Sequence, residues 1–362
     1  LKLTEKVFDA STLSQNRRRR YQDESVAQAI FDRIVEQAIA HKLVEGTTLY
    51  TDSTHLKANA NKKKFDVELA AKSRASYWAD LDAAIDEDRA AHGKQPLKPA
   101  ERTPEIKPTK ISRVDSEAGY MVRDDKPKGF FYLDHRTVDG KLGVITDTFA
   151  TPANVHDSIP YLGRLDRQRE RFGFEVKTVG LDSGYATAAI AKGLEDRAID
   201  AVTGYRNPTP PAPGMMRKSK FVYDPALDAY RCPQGQAIAY ATTDRTGYRH
   251  YKSDPAVCAP CPLRASCTSN AKAQRTITRH VWQDAREKVD ANRLTAWGKL
   301  VYARRKETVE RSFADAKQLF GHRYARFRGL MRVQCQCLLA AAAQNIKKIA
   351  LVIAGRTSPK PA

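Results

Sequence analysis

The sequence predicts an α/β fold in which helices flank a mixed sheet, and three observations favour this class. Segments typical of strands and helices follow in the order strand, hairpin, helix, strand, helix, strand. Two of them, GFFYLDHRTVDG and KLGVITDTFAT, join at Asp139-Gly140, a strong signal for an antiparallel hairpin. With 362 residues and 41% hydrophobic content, the chain can bury a sizeable core.

The first elements are a basic helical segment and a strand. In VAQAIFDRIVEQAIAHKLVEG the apolar residues recur at helical spacing, and Gly46 ends the predicted helix. The following TTLYTDSTHL is rich in Thr with Leu and Tyr, which indicates the first strand of the sheet. We therefore expect a helical segment over 1–46 and the first part of the sheet domain over 47–207.

Two insertions are predicted within the sheet domain. Residues 61–127 are charged and Ala-rich, with a predicted helix, VELAAKSRASYWADLDAAIDEDRAA, and then a linker that contains Pro and Lys. Residues 208–290 contain short Tyr-bearing runs and four cysteines. Helical periodicity resumes over 291–355, so these C-terminal helices are expected to complete the sheet domain.

Composition limits the function classes. The chain carries 62 Lys and Arg against 42 Asp and Glu, a net charge of +20, which favours nucleic acid or an anionic surface as partner, although a merely basic protein would also show it. No segment reaches the roughly 18 to 20 uninterrupted apolar residues that a membrane span requires. The N-terminal residues contain no apolar secretion signal, so we expect a cytoplasmic protein with reduced thiols.

Three acids occur in contexts that predict a metal site. Asp52 and Asp182 each end a short apolar or β-branched run, so both are expected at the C-terminal tips of strands, where a sheet exposes side chains to a crevice. Glu310 lies on a predicted helix. Three carboxylates brought together would suit a hard cation such as Mg²⁺ or Mn²⁺. Read alone, Glu310 could instead belong to a solvated stripe with Lys306 and Lys317.

Such a site predicts phosphodiester chemistry on a polyanion. Two cations held by carboxylates from different elements can activate an attacking oxygen and stabilise the leaving oxygen of an in-line displacement. Lys317 and Arg311 are candidates to hold the scissile phosphate, with ordinary surface charge as the alternative.

Basic residues between the last two helices form a candidate DNA contact. Arg323, Arg326 and Arg328 interleave with Tyr324 and Phe327. Arginines bind phosphates bidentately, and aromatic rings can stack on exposed bases. The alternative is a solvated connector between two helices.

The cysteines predict either a zinc site or free thiols. Cys258, Cys261 and Cys267 form a C-x2-C-x5-C pattern, and Cys232 lies upstream in YRCPQGQ. Four thiolates can close a tetrahedral zinc site. Because the spacing is not that of paired C-x2-C motifs, both interpretations stay open.

Several segments resemble successive blocks of the DDE transposases of bacterial insertion sequences. These segments are TDSTHLKANANK, GFFYLDHRTVD, TPANVHDS, LDSGYA and RRKETVERSFADAK. The family's signature around its third acid, known as YREK, is Tyr, two residues, Arg, three residues, Glu, six residues, Lys. Glu310 and Lys317 keep the last spacing, whereas Tyr302 lies one position too far upstream and Lys306 stands at the Arg position, with Arg305 adjacent.

The resemblance implies a function and a fold. It matches Asp52, Asp182 and Glu310 to the metal-binding triad of an RNase H-like catalytic domain, and it adds Arg305 to the DNA contacts. It implies an enzyme that cuts double-stranded DNA at transposon ends and joins the freed 3′-OH to target DNA, as a homodimer on DNA, and it implies that 1–46 is the remainder of a truncated DNA-binding region. The alternatives are a decayed protein that only binds DNA and a nuclease of the same fold.

Overall fold

The computed structural model describes residues 9–19, 24–72, 75–98, 105–122 and 127–355. Parts of the predicted N-terminal segment (1–8 and 20–23) and of the predicted charged insertion (73–74, 99–104 and 123–126) therefore lie outside the described residues. The helices are α1 (Ala10–Arg19), α2 (Glu24–Ala40), α3 (Ala75–Ala91), α4 (Ser158–Phe172), α5 (Ala188–Glu195), α6 (Pro255–Cys258), α7 (Arg264–Cys267), α8 (Gln283–Asn292), α9 (Ala296–Ala303), α10 (Arg311–Leu319) and α11 (Leu330–Ile353).

The strands form a mixed sheet, an antiparallel sheet and a two-stranded sheet. They are β1 (Thr48–Lys57), β2 (Phe65–Lys72), β3 (Glu105–Ser112), β4 (Gly119–Met121), β5 (Gly129–Asp139), β6 (Ile145–Pro152), β7 (Thr178–Leu181), β8 (Asp200–Thr203), β9 (Val222–Asp224), β10 (Ala229–Arg231), β11 (Ala237–Thr243), β12 (Tyr248–Lys252) and β13 (Thr276–His280). The mixed sheet has the order β4-β5-β1-β7-β8, with β6 also paired to β5. The prediction of a mixed sheet flanked by helices is confirmed.

The chain divides into two compact units. The first is drawn from Leu1–Ala70, Lys107–Gly204 and Val289–Ala362, and it contains the mixed sheet. The second is drawn from Ala71–Ile106 and Tyr205–Lys288. Its five-stranded antiparallel sheet has the order β13-β12-β11-β10-β9, and α3 packs against β11.

The predicted hairpin is the centre of the first unit. Strands β5 and β6 pair antiparallel from Tyr132↔Pro152 to Val138↔Ile145. The carboxylate of Asp139 accepts hydrogen bonds from the backbone N–H groups of Gly46 and Lys141, which fixes the turn after β5. On its other side β5 pairs antiparallel with β1.

Part of the predicted charged insertion has the wrong secondary structure. The helix expected to begin at Val67 is instead strand β2 as far as Lys72, and only α3 is helical; the expected linker contains strand β3, which pairs with β2. Apolar and polar residues alternate from Phe65 to Leu69, which is the period of a strand. Here the alternation outweighed the helix propensity of the Ala-rich run that follows.

Helix α11 covers the edge of the mixed sheet. Gln334 accepts from the N–H of Ala150 and donates to the carbonyl of Thr148, and Asn345 makes the same pair of bonds with the backbone of Ile145. The two side chains thus satisfy the outer backbone groups of β6, which would otherwise be an open edge. In the described part of the chain, α11 is the one helix long and apolar enough to cross a membrane, but this packing is that of a core helix.

A buried polar network connects β5 to the C-terminal helices. The carboxylate of Asp134 accepts from Arg136 at 2.8 Å and from His322 at 2.9 Å, and its other oxygen accepts from Thr148. Burial alone would raise the pKa of Asp134, but Arg136 and His322 hold it below its ordinary value. The sulfur of Cys337 lies within 4.8 Å of Asp134 and His322. Because protein donors already use both carboxylate oxygens, the cluster is a hydrogen-bond network and a poor metal site.

Replacing Asp134 with Asn should strongly destabilise the protein. The substitution leaves Arg136 buried without a counter-charge, and breaking such a pair costs about 3–5 kcal/mol of unfolding free energy. Equilibrium unfolding in urea measures the change. As a control, Asp66→Asn breaks the exposed ion pair with Arg113 and should change the stability little. Equal effects of the two substitutions would contradict this role for Asp134.

Candidate active site

Parallel strand pairing brings Asp52 and Asp182 together. Strands β1 and β7 pair in parallel from Thr48↔Thr178 to Thr51↔Leu181, so the two acids are the next residues along adjacent strands. Asp182 follows the end of β7, as predicted. The prediction that Asp52 lies at the tip of its strand is wrong: β1 continues to Lys57 through its antiparallel pairing with β5.

Glu310 reaches the same place from a π-helical turn. The turn spans Lys306–Glu310, between α9 and α10, and the N–H of Glu310 donates to the carbonyl of Arg305 at 3.1 Å, a bond across five residues. A π turn accommodates one residue more than an α-helical turn. The sequence has one residue more between Arg305 and Glu310 than the signature described above, while Tyr302 and Arg305 keep its spacing.

The guanidinium of Arg305 lies among the three acids. One nitrogen donates to Asp52 Oδ2 at 2.8 Å, and the other lies 3.6 Å from Asp182 Oδ1 and 3.7 Å from Glu310 Oε1. The Arg305 side chain is only 3% exposed, whereas those of Asp182 and Glu310 are each 45% exposed. Solvent therefore reaches the acids, whereas the guanidinium of Arg305 is buried beneath them.

Neighbouring residues fix the position of Arg305. Its Nη1 donates to the hydroxyl of Tyr302 at 3.3 Å, and its guanidinium lies 5.2 Å from the centre of the Tyr302 ring. A Cβ on Gly204, at the end of β8, would lie 2.8 Å from the same hydroxyl. Any larger residue at position 204 would therefore clash with Tyr302, which contacts Arg305, and with the backbone nitrogen of Ser183, also 2.8 Å away.

Burial changes the acidity of Asp52. Its pKa is raised to about 6, first by desolvation, against the opposing charge of Arg305 and a hydrogen bond from the N–H of Ser53. The charges of Asp182 and Asp157 raise it further. A cation among these acids would stabilise the ionised form of Asp52.

The sequence interpretation missed Asp157 and Tyr185. Asp157 is the residue before α4, and its side chain makes no cap hydrogen bond; instead it accepts from the Ser53 hydroxyl at 2.9 Å. The Tyr185 hydroxyl is buried without a hydrogen-bond partner, in the electrostatic field of Asp157, Asp52 and Asp182. The acid in NVHDS, which directly precedes a helical stretch, was the sequence signal for the first of these.

The acids offer the kind of oxygen donor that a divalent metal ion prefers, but in the described part of the chain their oxygens do not all lie within 4.8 Å of one another. Carboxylates from β1, from the end of β7 and from the π turn already surround a cationic group, and the orphaned hydroxyl of Tyr185 lies near them. Oxygen donors of this kind suit Mg²⁺ or Mn²⁺.

The basic residues predicted to contact DNA differ in their exposure to solvent. Lys317 is half-buried on α10 and Arg311 is exposed at its start. Arg323, Arg326 and Arg328 are all exposed. Arg305 was predicted to be a DNA contact, but the structure buries it among the acids.

The four cysteines lie in the second unit and share one cavity. Cys232, Cys258, Cys261 and Cys267 are half-buried thiols without disulfide bonds, and all four line this cavity.

Comparison with known proteins gives one family match. A family model described as "Transposase DDE domain" matches residues 231–350, which include Glu310 and Lys317 but not Asp52 or Asp182. The match does not show the YREK signature. A search of curated proteins finds no match. Proteins with this domain act on DNA in transposition. The match confirms the predicted resemblance over residues 231–350, where the sequence is similar to that of the DDE transposases.

Proposed function

We propose that the protein is a metal-dependent DDE transposase that cleaves DNA at the ends of an insertion sequence and joins the 3′ ends to target DNA. One observation carries the proposal: acids from three separate elements converge on a single guanidinium. The sheet supports an RNase H-like catalytic domain, because β1 pairs antiparallel with one strand of a hairpin and parallel with β7, which pairs in parallel with β8. We place its activity in the cytoplasm.

Asp52, Asp182 and Glu310 would hold the metal ions. When bound, Mg²⁺ or Mn²⁺ supplies activation of the attacking oxygen and stabilisation of the leaving oxygen. The protein groups position the reactants: the π turn sets Glu310 facing the two strand acids, and Lys317 and Arg311 hold the scissile phosphate by charge. In the metal-free protein, the positive charge of Arg305 would compensate the negative charges of the three acids, a role that bound metal ions would take over.

The basic loop between α10 and α11 would guide DNA to these acids. The loop is attached to the far end of β1, because Lys57 donates its N–H to the carbonyl of Arg323 and accepts from the N–H of Ala325. Arg328 donates to the carbonyl of Asn59 at 3.1 Å. The strand that carries Asp52 thus also carries the loop, whose exposed Arg323, Arg326 and Tyr324 can contact phosphates and bases. Two copies bound to the two transposon ends would form the homodimer.

Strand transfer tests the proposal. Duplexes taken from the DNA that flanks the gene, pre-cleaved to expose a 3′-OH, are incubated with the purified protein, Mg²⁺ and a supercoiled target. We expect covalently joined products that depend on the metal ion. Nicked target DNA without joined ends would indicate a nuclease of the same fold. DNA that migrates more slowly in a gel but is neither cut nor joined would indicate a protein that only binds DNA.

A further inference from the structure

The four cysteines of the second unit come from three places in the chain and meet at one cavity. Cys232 follows β10, Cys258 ends α6, Cys261 lies in the turn after it, and Cys267 ends α7. We propose that these cysteines bind one structural Zn²⁺ ion through their four sulfur atoms. The proposal is independent of the transposase chemistry, because it concerns the other unit.

Tight turns present two of the sulfurs. After Cys232, Gly235 has φ +76° and donates its N–H to the carbonyl of Cys232 at 2.8 Å, while Cys232 donates to the carbonyl of Gln236 at 2.9 Å. The N–H of Cys261 donates to the carbonyl of Cys258 at 3.2 Å, which closes a second turn. A residue with a side chain would be strained at position 235, so the glycine serves the turn that carries Cys232.

The size of the cavity fits an ion. Its volume is about 50 Å³. This space exceeds the roughly 10–15 Å³ that one water molecule needs, but it is far below the several hundred Å³ of pockets for organic ligands. The four cysteines among the lining residues are the ligand set that a structural zinc site uses.

Charged and polar groups lie beside the proposed ligands. A divalent cation would remove the repulsion among the thiolates. Arg275 donates to the carbonyl of Cys267 at 2.7 Å, and the Ser253 hydroxyl lies 3.2 Å from the Cys258 sulfur, so both residues can stabilise the charged ligands.

Metal binding would complete a small core. The buried residues of this core are Phe221, Tyr230, Ile238, Tyr251 and Ile277, and Cys232 and Cys267 pack against them. A core of this size contributes limited stability, and small domains commonly gain the rest from metal ions. Among the described residues, no three of these sulfurs lie within 4.8 Å of one another, so the turns would have to move inward for all four sulfurs to bind one ion.

Metal analysis of the full-length protein tests this inference. We expect one zinc ion per chain after dialysis against Mg²⁺-free buffer, and loss of zinc in Cys258→Ser and in Cys267→Ser. Cys337→Ala is the matched control, because it removes a buried cysteine of the first unit that lies near Asp134 and His322; this variant should keep its zinc. Replacement of zinc by Co²⁺ in the unmodified chain should give a thiolate-to-cobalt charge-transfer band and the intense visible bands of a tetrahedral site.

The Co²⁺ spectrum makes the test independent of whether a variant folds. Absence of both zinc and the cobalt bands from the unmodified protein would overturn the proposal. Iron with labile sulfide, or loss of zinc from Cys337→Ala but not from Cys258→Ser, would also overturn it. Because the readout is metal content, failed strand transfer with zinc present would count against the proposed function alone.

Discussion

Replacing Asp182 with Asn is expected to reduce strand cleavage by at least a factor of about 1,000, which is about 4 kcal/mol of transition-state stabilisation. Asn keeps the size of Asp but lacks the charge that would hold a metal ion against the scissile phosphate in the proposed function. Because the Asp182 side chain is 45% exposed, the fold should tolerate the change. Cleavage of end-labelled duplex DNA in Mg²⁺ measures the loss.

DNA binding by the Asp182→Asn variant should remain close to that of the unmodified protein. In the proposed function, the exposed arginines of the basic loop would supply the phosphate contacts, and removing one negative charge near the DNA would favour binding. Asp200→Asn is a suitable control, because Asp200 is an exposed acid at the opposite end of the parallel strands β7 and β8. Undiminished cleavage by Asp182→Asn, or equal losses in the two variants, would refute the assignment of Asp182.

Local patterns predicted the parts of the fold that depend on short-range interactions. The hairpin and its two strands were correct because a hairpin is determined by residues close in sequence, although Asp139 belongs to β5 and the loop extends over 140–144. The strand before Asp182 was correct for the same reason. At β2 the sequence held two signals, strand alternation and a helix-forming Ala-rich run, and the weaker signal was chosen.

The arrangement of the candidate site depends on long-range pairing that no local pattern shows. The acids at 52 and 182 could be picked out by residue type, but the pairing Thr51↔Leu181 that aligns them joins residues 130 positions apart. The contact of Asp157 with Ser53 spans 104 positions. The extra residue before Glu310 was visible as a disturbed spacing, yet only the π turn explains how Arg305 still reaches the acids.

Replacing Arg305 with Ala is expected to make the stability of the protein depend strongly on divalent metal ions. Arg305 is the buried positive charge among Asp52, Asp182 and Glu310, and its loss leaves these acids uncompensated. In EDTA we expect a loss of about 2–4 kcal/mol of unfolding free energy, since removing one partner of a buried ion pair has costs of this order. Mg²⁺ should restore most of it, because the cation then replaces the guanidinium.

The adjacent arginine provides a control for Arg305. Arg304 donates to the carbonyl of Gly140 at 2.7 Å and, like Arg305, lies between α9 and the π turn. Mg²⁺ should therefore change the unfolding free energy of Arg304→Ala by the same small amount as that of the unmodified protein. Thermal unfolding of the unmodified protein, Arg305→Ala and Arg304→Ala, each in EDTA and in Mg²⁺, measures these differences in stability.

The pH dependence of the Arg305→Ala variant distinguishes lost charge from lost packing. The pKa of Asp52 is about 6 in the folded protein against an ordinary 3.8, so the native state holds the proton more tightly and stability falls as pH rises from 3.8 through about 6. Arg305 opposes this shift, so its removal raises the folded pKa further and extends the loss of stability to higher pH. The difference in unfolding free energy between Arg305→Ala and the unmodified protein in EDTA should therefore become smaller as the pH is lowered towards 5. If the loss of unfolding free energy in Arg305→Ala depends on neither pH nor Mg²⁺, Arg305 contributes packing and not charge. The acids would then lack the electrostatic coupling on which a shared metal site depends.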